Sequence, residues 1–278
     1  MSTSHAPPAG LTDYEREQLD KIRAWKNDRP DMISRVFLPA TIPFSFILYH
    51  VVPKRVMVGM VDGFDYIAKS FVDRDDVLAK ADADDVEELK GKDLVILDHL
   101  ASEVTDWARG VAVVEGAVTG MGGFLTISVD IPIIITLALR TAYKIGLCYG
   151  FDGRAEEDKN FILGILAVSS AGSLQDKLAA LVLLKSMETA MVQKMAGAAV
   201  ERIAMRGVAR GSSTMIAKKF ASNIGANIVR RKALQLVPGV GAVIGGTVNG
   251  WFMKNVCTAA TCSFQRRWLI EKYSVENV

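Results

Sequence analysis

Apolar residues recur along much of the chain at spacings of three and four, which places them on one face of an α-helix. A capping-box pattern from Thr12 to Glu15 opens one such segment, which stops before Pro30. A second periodic segment runs from Val56 to Phe71. Both segments are therefore predicted to be amphipathic helices.

The middle of the chain begins with an acidic stretch, residues 73–88, which predicts short helices and turns. Gly91 separates it from a helix that carries regularly spaced apolar residues from Leu94 to Val111. Four glycines follow, at positions 116, 120, 122 and 123. Because glycine is a poor interior helix former, these glycines predict either a close contact with another helix or a break.

Residues 131–149 are predicted to form one apolar helix. Asp130 stands two residues before Pro132, which fits an N-cap followed by proline in the first helical turn. Gly150 fits the C-terminal stop. The β-branched run at 131–136 also suits a strand, but the rest of the chain offers no strand for it to pair with.

Helical periodicity continues to the C-terminus. Asp152 is predicted to cap a helix that reaches Ala171, and a capping box at Ser173 and Asp176 opens the next segment. That segment extends to about residue 211, and two further helical segments cover 212–237 and 240–272.

The predicted fold is all-α, with nine or ten helices and glycine-rich apolar helical hairpins. Residues 1–10 are predicted to be a disordered tail, and residues 11–278 one large helical domain. With 50% hydrophobic and 23% charged residues, the composition excludes disordered and low-complexity classes. The odd number of cysteines, three, and the lack of a CxxC pair favour reduced thiols in a reducing compartment.

The N-terminus has neither a basic n-region nor an apolar h-region, so we expect a cytoplasmic protein. Two apolar stretches, 36–53 and 233–253, approach the length of a membrane span. Prolines interrupt the first stretch, and a proline, several glycines and an asparagine interrupt the second. Each is therefore expected to be buried in protein or to lie against a bilayer.

The net charge of +2 hides a strong asymmetry along the chain. Residues 73–106 contain twelve acids and four bases, whereas residues 194–270 contain twelve bases and one acid. Such a basic region suits anionic lipid or an acidic protein surface. Nucleic acid is not expected as a partner, because aromatic residues do not alternate with the bases.

Two groups of basic residues are predicted to bind anionic lipid: Arg202, Arg206 and Arg210, and then Arg230, Arg231 and Lys232. The first group recurs every four residues and lines one helix face. That face is either solvated or faces phosphates, which arginine binds through two donors. The second group directly precedes an apolar glycine-rich stretch, and cations in that position suit a phosphate layer.

Small residues stand one helical turn apart in the glycine-rich stretch, at Gly241, Gly245 and Asn249, with Gly246 and Gly250 as an offset pair. This spacing lets a neighbouring backbone approach closely. The stretch is predicted to contact a second helix, and bilayer contact is the alternative.

Two acidic residues stand in apolar surroundings, Glu115 and Asp130. An unpaired carboxylate there is costly or stays protonated. Arg140 and Lys144, one turn apart on the following helix, are the natural partners. Asp130 is interpreted mainly as a helix cap, whereas Glu115 is either half of a buried ion pair or a site residue.

His99 and Glu103 have a spacing that suits a metal on one helix face, but the chain has no HExxH motif and no Cys/His cluster. A solvated acidic face is the favoured interpretation, and no metal or cofactor is predicted. No nucleophile elbow, dinucleotide-binding motif or phosphate-binding loop occurs, so no catalytic residue is assigned.

A set of short motifs occurs in order along the chain: Glu115–Gly116, the glycines at 120, 122 and 123, Asp130–Ile131–Pro132, Arg140, Tyr149–Gly150–Phe151–Asp152, residues 237–242, Asn249 and Phe252. Together they resemble the EcsC family from about Tyr14 to Tyr273. The resemblance implies an intracellular, membrane-linked bacterial protein, since the family's founding member is encoded beside an ABC transporter. It supplies no active site.

The expected function is that of a non-catalytic cytoplasmic protein, peripheral on the inner face of the cell membrane. The apolar hairpins and the basic C-terminal half would bind a membrane surface, lipid or a membrane complex. A membrane transporter or another protein is a further expected partner. Two alternatives stay open: a hydrolase using Glu115, Asp130 or the His99 cluster in an apolar cleft, and a carrier of an apolar small molecule.

Overall fold

A computed structural model describes residues 10–29, 72–121, 124–171, 173–195 and 241–273, together with positions 63 and 70. Within these ranges there are eight helices and no strands: α1 (Asp13–Asn27), α2 (Arg74–Ala81), α3 (Val86–Leu89), α4 (Leu94–Met121), α5 (Phe124–Cys148), α6 (Glu156–Ser170), α7 (Leu174–Met195) and α8 (Gly241–Tyr273). The all-α prediction is confirmed. The helix predicted at 212–237, residues 1–9 of the predicted tail and, apart from positions 63 and 70, the helix predicted at 56–71 lie outside the described residues.

The long helix α8 organises the fold. It packs along α4 and also contacts α5, α6 and α1. Its direction is antiparallel to α4, because Val113 faces Gly250 whereas Gly120 faces Gly245. Side chains from four helices fill the core between them, among them the fully buried Leu97, Ile134, Phe161 and Trp268.

Helix α1 begins where its sequence predicts. The Thr12 hydroxyl accepts a hydrogen bond from the Glu15 amide (3.2 Å), and the Glu15 carboxylate accepts one from the Thr12 amide (2.8 Å). The same buried carboxylate accepts hydrogen bonds from Lys272 Nζ and from the Tyr273 hydroxyl at the end of α8. The capping box therefore also joins the first helix to the last one.

Helix α4 extends ten residues beyond Val111, to Met121. Gly116 and Gly120 consequently lie inside a helix and are both buried. The sequence predicts either a close helix contact or a break at these glycines, and Gly116 and Gly120 form the close contact. Positions 122 and 123 lie outside the described residues.

The predicted start of α5 is wrong. The helix begins at Phe124, so Asp130 lies in its interior and is not the N-cap, and Pro132 is interior as well. Proline has no N–H, so the carbonyl one turn earlier loses its intrahelical partner there. The predicted stop is confirmed: Gly150 has φ +84°, and the Phe151 amide donates to the Gly146 carbonyl, as in a Schellman motif.

The two predicted caps that follow have different outcomes. Helix α6 begins at Glu156, and Asp152 instead accepts a hydrogen bond from the Arg154 amide (3.0 Å) in the preceding turn. Asp152 is therefore not the cap. Ser173 does cap α7, since its hydroxyl accepts from the Asp176 amide (3.1 Å).

Buried charges pair across the helices that flank α8. Arg266 forms an ion pair with Glu188 of α7, and each side chain is less than a tenth exposed. The next residue, Arg267, forms an ion pair with Asp158 of α6 at 2.8 Å and lies over the ring of Phe151 at 4.0 Å. These pairs fix the rotation of α8 about its own axis, because rotating the helix by one residue would move a buried charge away from its partner.

Candidate functional site

Two glycines bring α4 and α8 into backbone contact. A Cβ atom added to Gly116 would overlap the Gly245 carbonyl and would lie 2.7 Å from Nδ2 of Asn249. A Cβ atom on Gly245 would overlap the Gly116 carbonyl and would lie 3.1 Å from Cα of Gly120. Only glycine fits at either position, because the carbonyl group that the added Cβ atom would overlap belongs to the backbone of the other helix.

The contact places one amide between two carboxylates. The fully buried Asn249 follows Gly245 by one turn on α8, and Glu115 directly precedes Gly116 on α4. Asn249 Nδ2 donates to Oε2 of Glu115 and to Oδ1 of Asp130, the latter at 3.3 Å. Asp130 is also fully buried. A short side chain reaches both acids because the glycines leave so little space between the helices.

The cations that the sequence suggests as partners of these acids lie elsewhere. The Arg140 guanidinium stacks over the ring of Trp107 at 5.2 Å, and Lys144 Nζ forms an ion pair with Asp76 at 2.8 Å. That lysine lowers the pKa of the Asp76 carboxyl. The expected pairing of Arg140 and Lys144 with the two acids is therefore replaced by the Asn249 amide, whose donors compensate a carboxylate without bringing a charge into the core.

The three helices also form a surface that is almost free of charge, here named the apolar end. Its described side chains come from residues 110–121 of α4, 130–139 of α5 and 243–253 of α8, and the only charged residues in these ranges are Glu115 and Asp130. Aliphatic side chains on its outside are exposed: Val114 by 64%, Val118 by 59%, Met121 by 71% and Val243 by 73%. Both acids point inward, to Asn249.

The remaining predicted residues are placed as follows. His99 is exposed and lies 3.7 Å from Glu103, which also forms an ion pair with Lys80 at 2.8 Å. Among the described side chains, no group of three His, Cys, Asp or Glu residues is arranged to hold a metal ion. Gly241 is the first residue of α8. The six basic residues predicted to bind lipid, Arg202, Arg206, Arg210, Arg230, Arg231 and Lys232, lie outside the described ranges.

A polar cluster centred on Asp98 is not predicted by the sequence. Its carboxylate accepts hydrogen bonds from the hydroxyls of Tyr14 (2.7 Å) and Tyr149 (2.6 Å) and from Nε2 of Gln265 (2.8 Å). Burial and this carboxylate raise the pKa of both tyrosines above the usual value. The cluster joins α1, α4, the end of α5 and α8. Gln265 lies 167 positions from Asp98 in sequence, and no local pattern connects the members of the cluster.

Within the part of the chain that the structure describes, one helical segment, Asp130–Cys148, is long and apolar enough to cross a membrane, judged by length and composition only. Its mean hydropathy is 1.5, and 72% of it is buried by the rest of the chain. Such burial is typical of a core helix, and α5 fills that role between α4, α6 and α8.

These features define an all-helical protein whose central helix pair meets through glycine and holds two inward-facing carboxylates. A sequence model of the EcsC protein family matches residues 16–269, and the chain belongs to this family. The chain is similar to the uncharacterised protein YdbA of Bacillus subtilis (strain 168), with 25% identity over 187 residues. That match covers 67% of this chain and 63% of YdbA, so the chain spans less than two thirds of that relative's length. No solved structure matches the chain.

Proposed function

We propose that this EcsC-family protein is a non-catalytic cytoplasmic protein that associates peripherally with the inner face of the cell membrane. The observation that carries the proposal is the exposure of the aliphatic side chains on the apolar end. Val114, Val118 and Met121 follow one another on one face of α4, and Val243 extends the exposed surface onto α8. Contiguous exposed apolar surface marks a site of contact with another molecule or a membrane.

The charge distribution supports a membrane as the partner. The cytoplasmic leaflet is negatively charged, so it attracts the basic region 194–270 and repels the acidic region 73–106. Arg266 and Arg267 do not contribute to this attraction, because they are buried in ion pairs. The six predicted lipid-binding bases belong to the basic region. The acidic region includes α2, α3 and the first half of α4, which is the half remote from the apolar end.

Flotation with vesicles tests this function. The purified protein is mixed with vesicles of phosphatidylcholine and 30% phosphatidylglycerol at low salt, and bound protein floats with the lipid. A charge placed on the apolar end, Val118→Asp, should weaken binding at least tenfold, since an aspartate inserts into a bilayer at high cost. The matched control is Val182→Asp on α7, which makes the same change at a position 69% exposed and should bind like the unchanged protein.

Three results would contradict the proposal: no flotation of the unchanged protein, equal binding of the two variants, or equal binding to neutral and anionic vesicles at low salt. Because the vesicles contain no other protein, the assay also distinguishes binding to lipid from binding to a membrane protein. A protein that docks only on a membrane transporter or another membrane complex would stay unbound in this assay.

A further inference from the structure

The apolar end has a sharp border along α4. From Met121 back to Gly110 the helix has no fully exposed charged residue. Glu115, the one acid in that stretch, is only partly exposed, and its carboxylate accepts a hydrogen bond from Asn249. The first exposed charge is Arg109, and the exposed Asp106 follows one turn further. Acidic residues then predominate from Asp106 back to Asp73.

A border of the same kind lies at the same level on α8. This helix has no charged residue from Gly241 to Met253, and its first charge is the exposed Lys254. Because Val113 faces Gly250 in the antiparallel pair, Lys254 lies one turn further along, at the level of Arg109.

An aromatic ring and a further cation belong to the same level. Trp107 is half-exposed, and the Arg140 guanidinium of α5 lies over its ring at 5.2 Å. Tryptophan and basic side chains concentrate where a membrane protein crosses the headgroup layer. We name these four residues, Trp107, Arg109, Arg140 and Lys254, the collar.

The collar sets a depth. Met121 lies twelve positions after Arg109, so the part of α4 beyond the collar is about 18 Å long at 1.5 Å per residue. One leaflet contributes about half of a hydrocarbon core that is roughly 30 Å thick. The apolar end is therefore long enough to enter one leaflet and too short to cross two.

We propose that the apolar end inserts into a single leaflet, with the collar at the level of the lipid phosphates and the acidic half of α4 directed into the cytoplasm. This inference rests on the proposed function and adds the inserted surface, its depth and its headgroup partner. The partner is the phosphodiester of an anionic phospholipid, which Arg109 and Lys254 contact from two helices. The inward pairing of Glu115 and Asp130 with Asn249 is what permits this end to enter hydrocarbon, because an outward carboxylate there would oppose insertion.

Single fluorescent labels test the insertion directly. Cysteine is introduced at Val118 or Val243 on the apolar end, or at the exposed Ser102 on the acidic half of α4, and is coupled to nitrobenzoxadiazole. The three native cysteines are buried, and burial raises the pKa of Cys148 and Cys262 to about 12, so they stay unlabelled at neutral pH. The unsubstituted protein verifies this.

On addition of the anionic vesicles, the fluorescence emission of labels at 118 and 243 should shift to shorter wavelength and increase severalfold in intensity. Lipids that carry a nitroxide within the acyl chain should quench them. The label at 102 should keep its aqueous spectrum. The double variant Arg109→Gln/Lys254→Gln should bind about 25-fold more weakly, since each base near an anionic surface contributes about 1 kcal/mol, or about fivefold in affinity.

The outcomes separate this inference from the function on which it rests. If the vesicles float the protein while the labels at 118 and 243 stay aqueous, association stands and the insertion is wrong. If nothing floats, both are wrong. If the emission of those labels changes with protein concentration in the absence of lipid, the apolar end pairs with a second copy of the chain, and the insertion is again wrong. If the double variant binds the vesicles with unchanged affinity, the collar does not lie at the level of the headgroups.

Discussion

Replacing Gly245 by alanine tests the contact on which the candidate site depends. The new methyl group would overlap the Gly116 carbonyl and would lie 3.1 Å from Cα of Gly120. These atoms are backbone in the middle of α4, so they cannot rotate away, and α4 and α8 must separate. The separation also lengthens the hydrogen bonds of Asn249, one turn away.

The expected magnitude combines opposing contributions. Alanine in place of an interior helix glycine stabilises by about 1 kcal/mol. Overpacking of the helix contact costs ~1–3 kcal/mol or more, and weakened hydrogen bonds from Asn249 to its carboxylates cost ~1.5–3 kcal/mol. The net loss should be ~2–4 kcal/mol. For a chain of this size, that loss lowers the melting temperature by about 5–10 °C.

Gly110→Ala is the matched control. Gly110 is an exposed residue of α4, the helix that Gly245 of α8 contacts, and a Cβ atom there would meet no atom within 4 Å. The helix-propensity gain remains unopposed, so this variant should melt about 1–3 °C above the unchanged protein. Circular dichroism melts at one protein concentration measure both variants. A Gly245→Ala variant as stable as Gly110→Ala would refute the close contact of α4 with α8.

Three predictions concern buried or partly buried charges. Burial raises the pKa of Glu15, but hydrogen bonds from Lys272 and two further donors outweigh it and lower the pKa overall. The Glu15 carboxylate therefore stabilises the folded protein above its ordinary pKa, and this stabilisation is lost as the pH falls through the lowered pKa. Glu15→Gln should reduce the free energy of unfolding in urea at pH 7, and the reduction should shrink in acid. A reduction that does not depend on pH would refute this. Arg266→Met leaves Glu188 buried without its ion-pair partner and should cost ~3–5 kcal/mol, most of which Arg266→Met/Glu188→Leu should restore; a double variant no more stable than the single one would contradict the pairing. Burial and neighbouring cations lower the pKa of Lys26 to about 7. Lys26→Met should therefore raise the melting temperature at pH 7, and the gain should be smaller as the pH approaches 10. An equal gain at both pH values would refute the lowered pKa of Lys26.

The parts of the fold that local sequence could predict are those fixed within one helical turn. Thr12 and Glu15, or Ser173 and Asp176, are three residues apart and cap a helix with their own side chains. Gly150 ends α5 because the positive φ there suits glycine. These elements need no knowledge of the rest of the chain.

The start of α5 depends on a distant residue, and there the local rule failed. Asp130 and Pro132 have the spacing of a cap, yet the helix continues on their N-terminal side, and the buried carboxylate accepts from Asn249, 119 positions away. The sequence marked Glu115, Asp130 and Asn249 separately, but only the contact between Gly116 and Gly245 brings them together. The Asp98 cluster gave no local signal, because each of its donors comes from a different part of the chain.

Hydrogen–deuterium exchange with and without anionic vesicles tests the central claim, that the apolar end faces the membrane, most directly. Under conditions in which the protein floats with the vesicles, peptides covering 110–121 and 241–253 should exchange more slowly, while peptides covering 73–93 in the acidic region should be unchanged. Unaltered exchange at 110–121 and 241–253 in the vesicle-bound protein, or protection confined to 73–93, would contradict it.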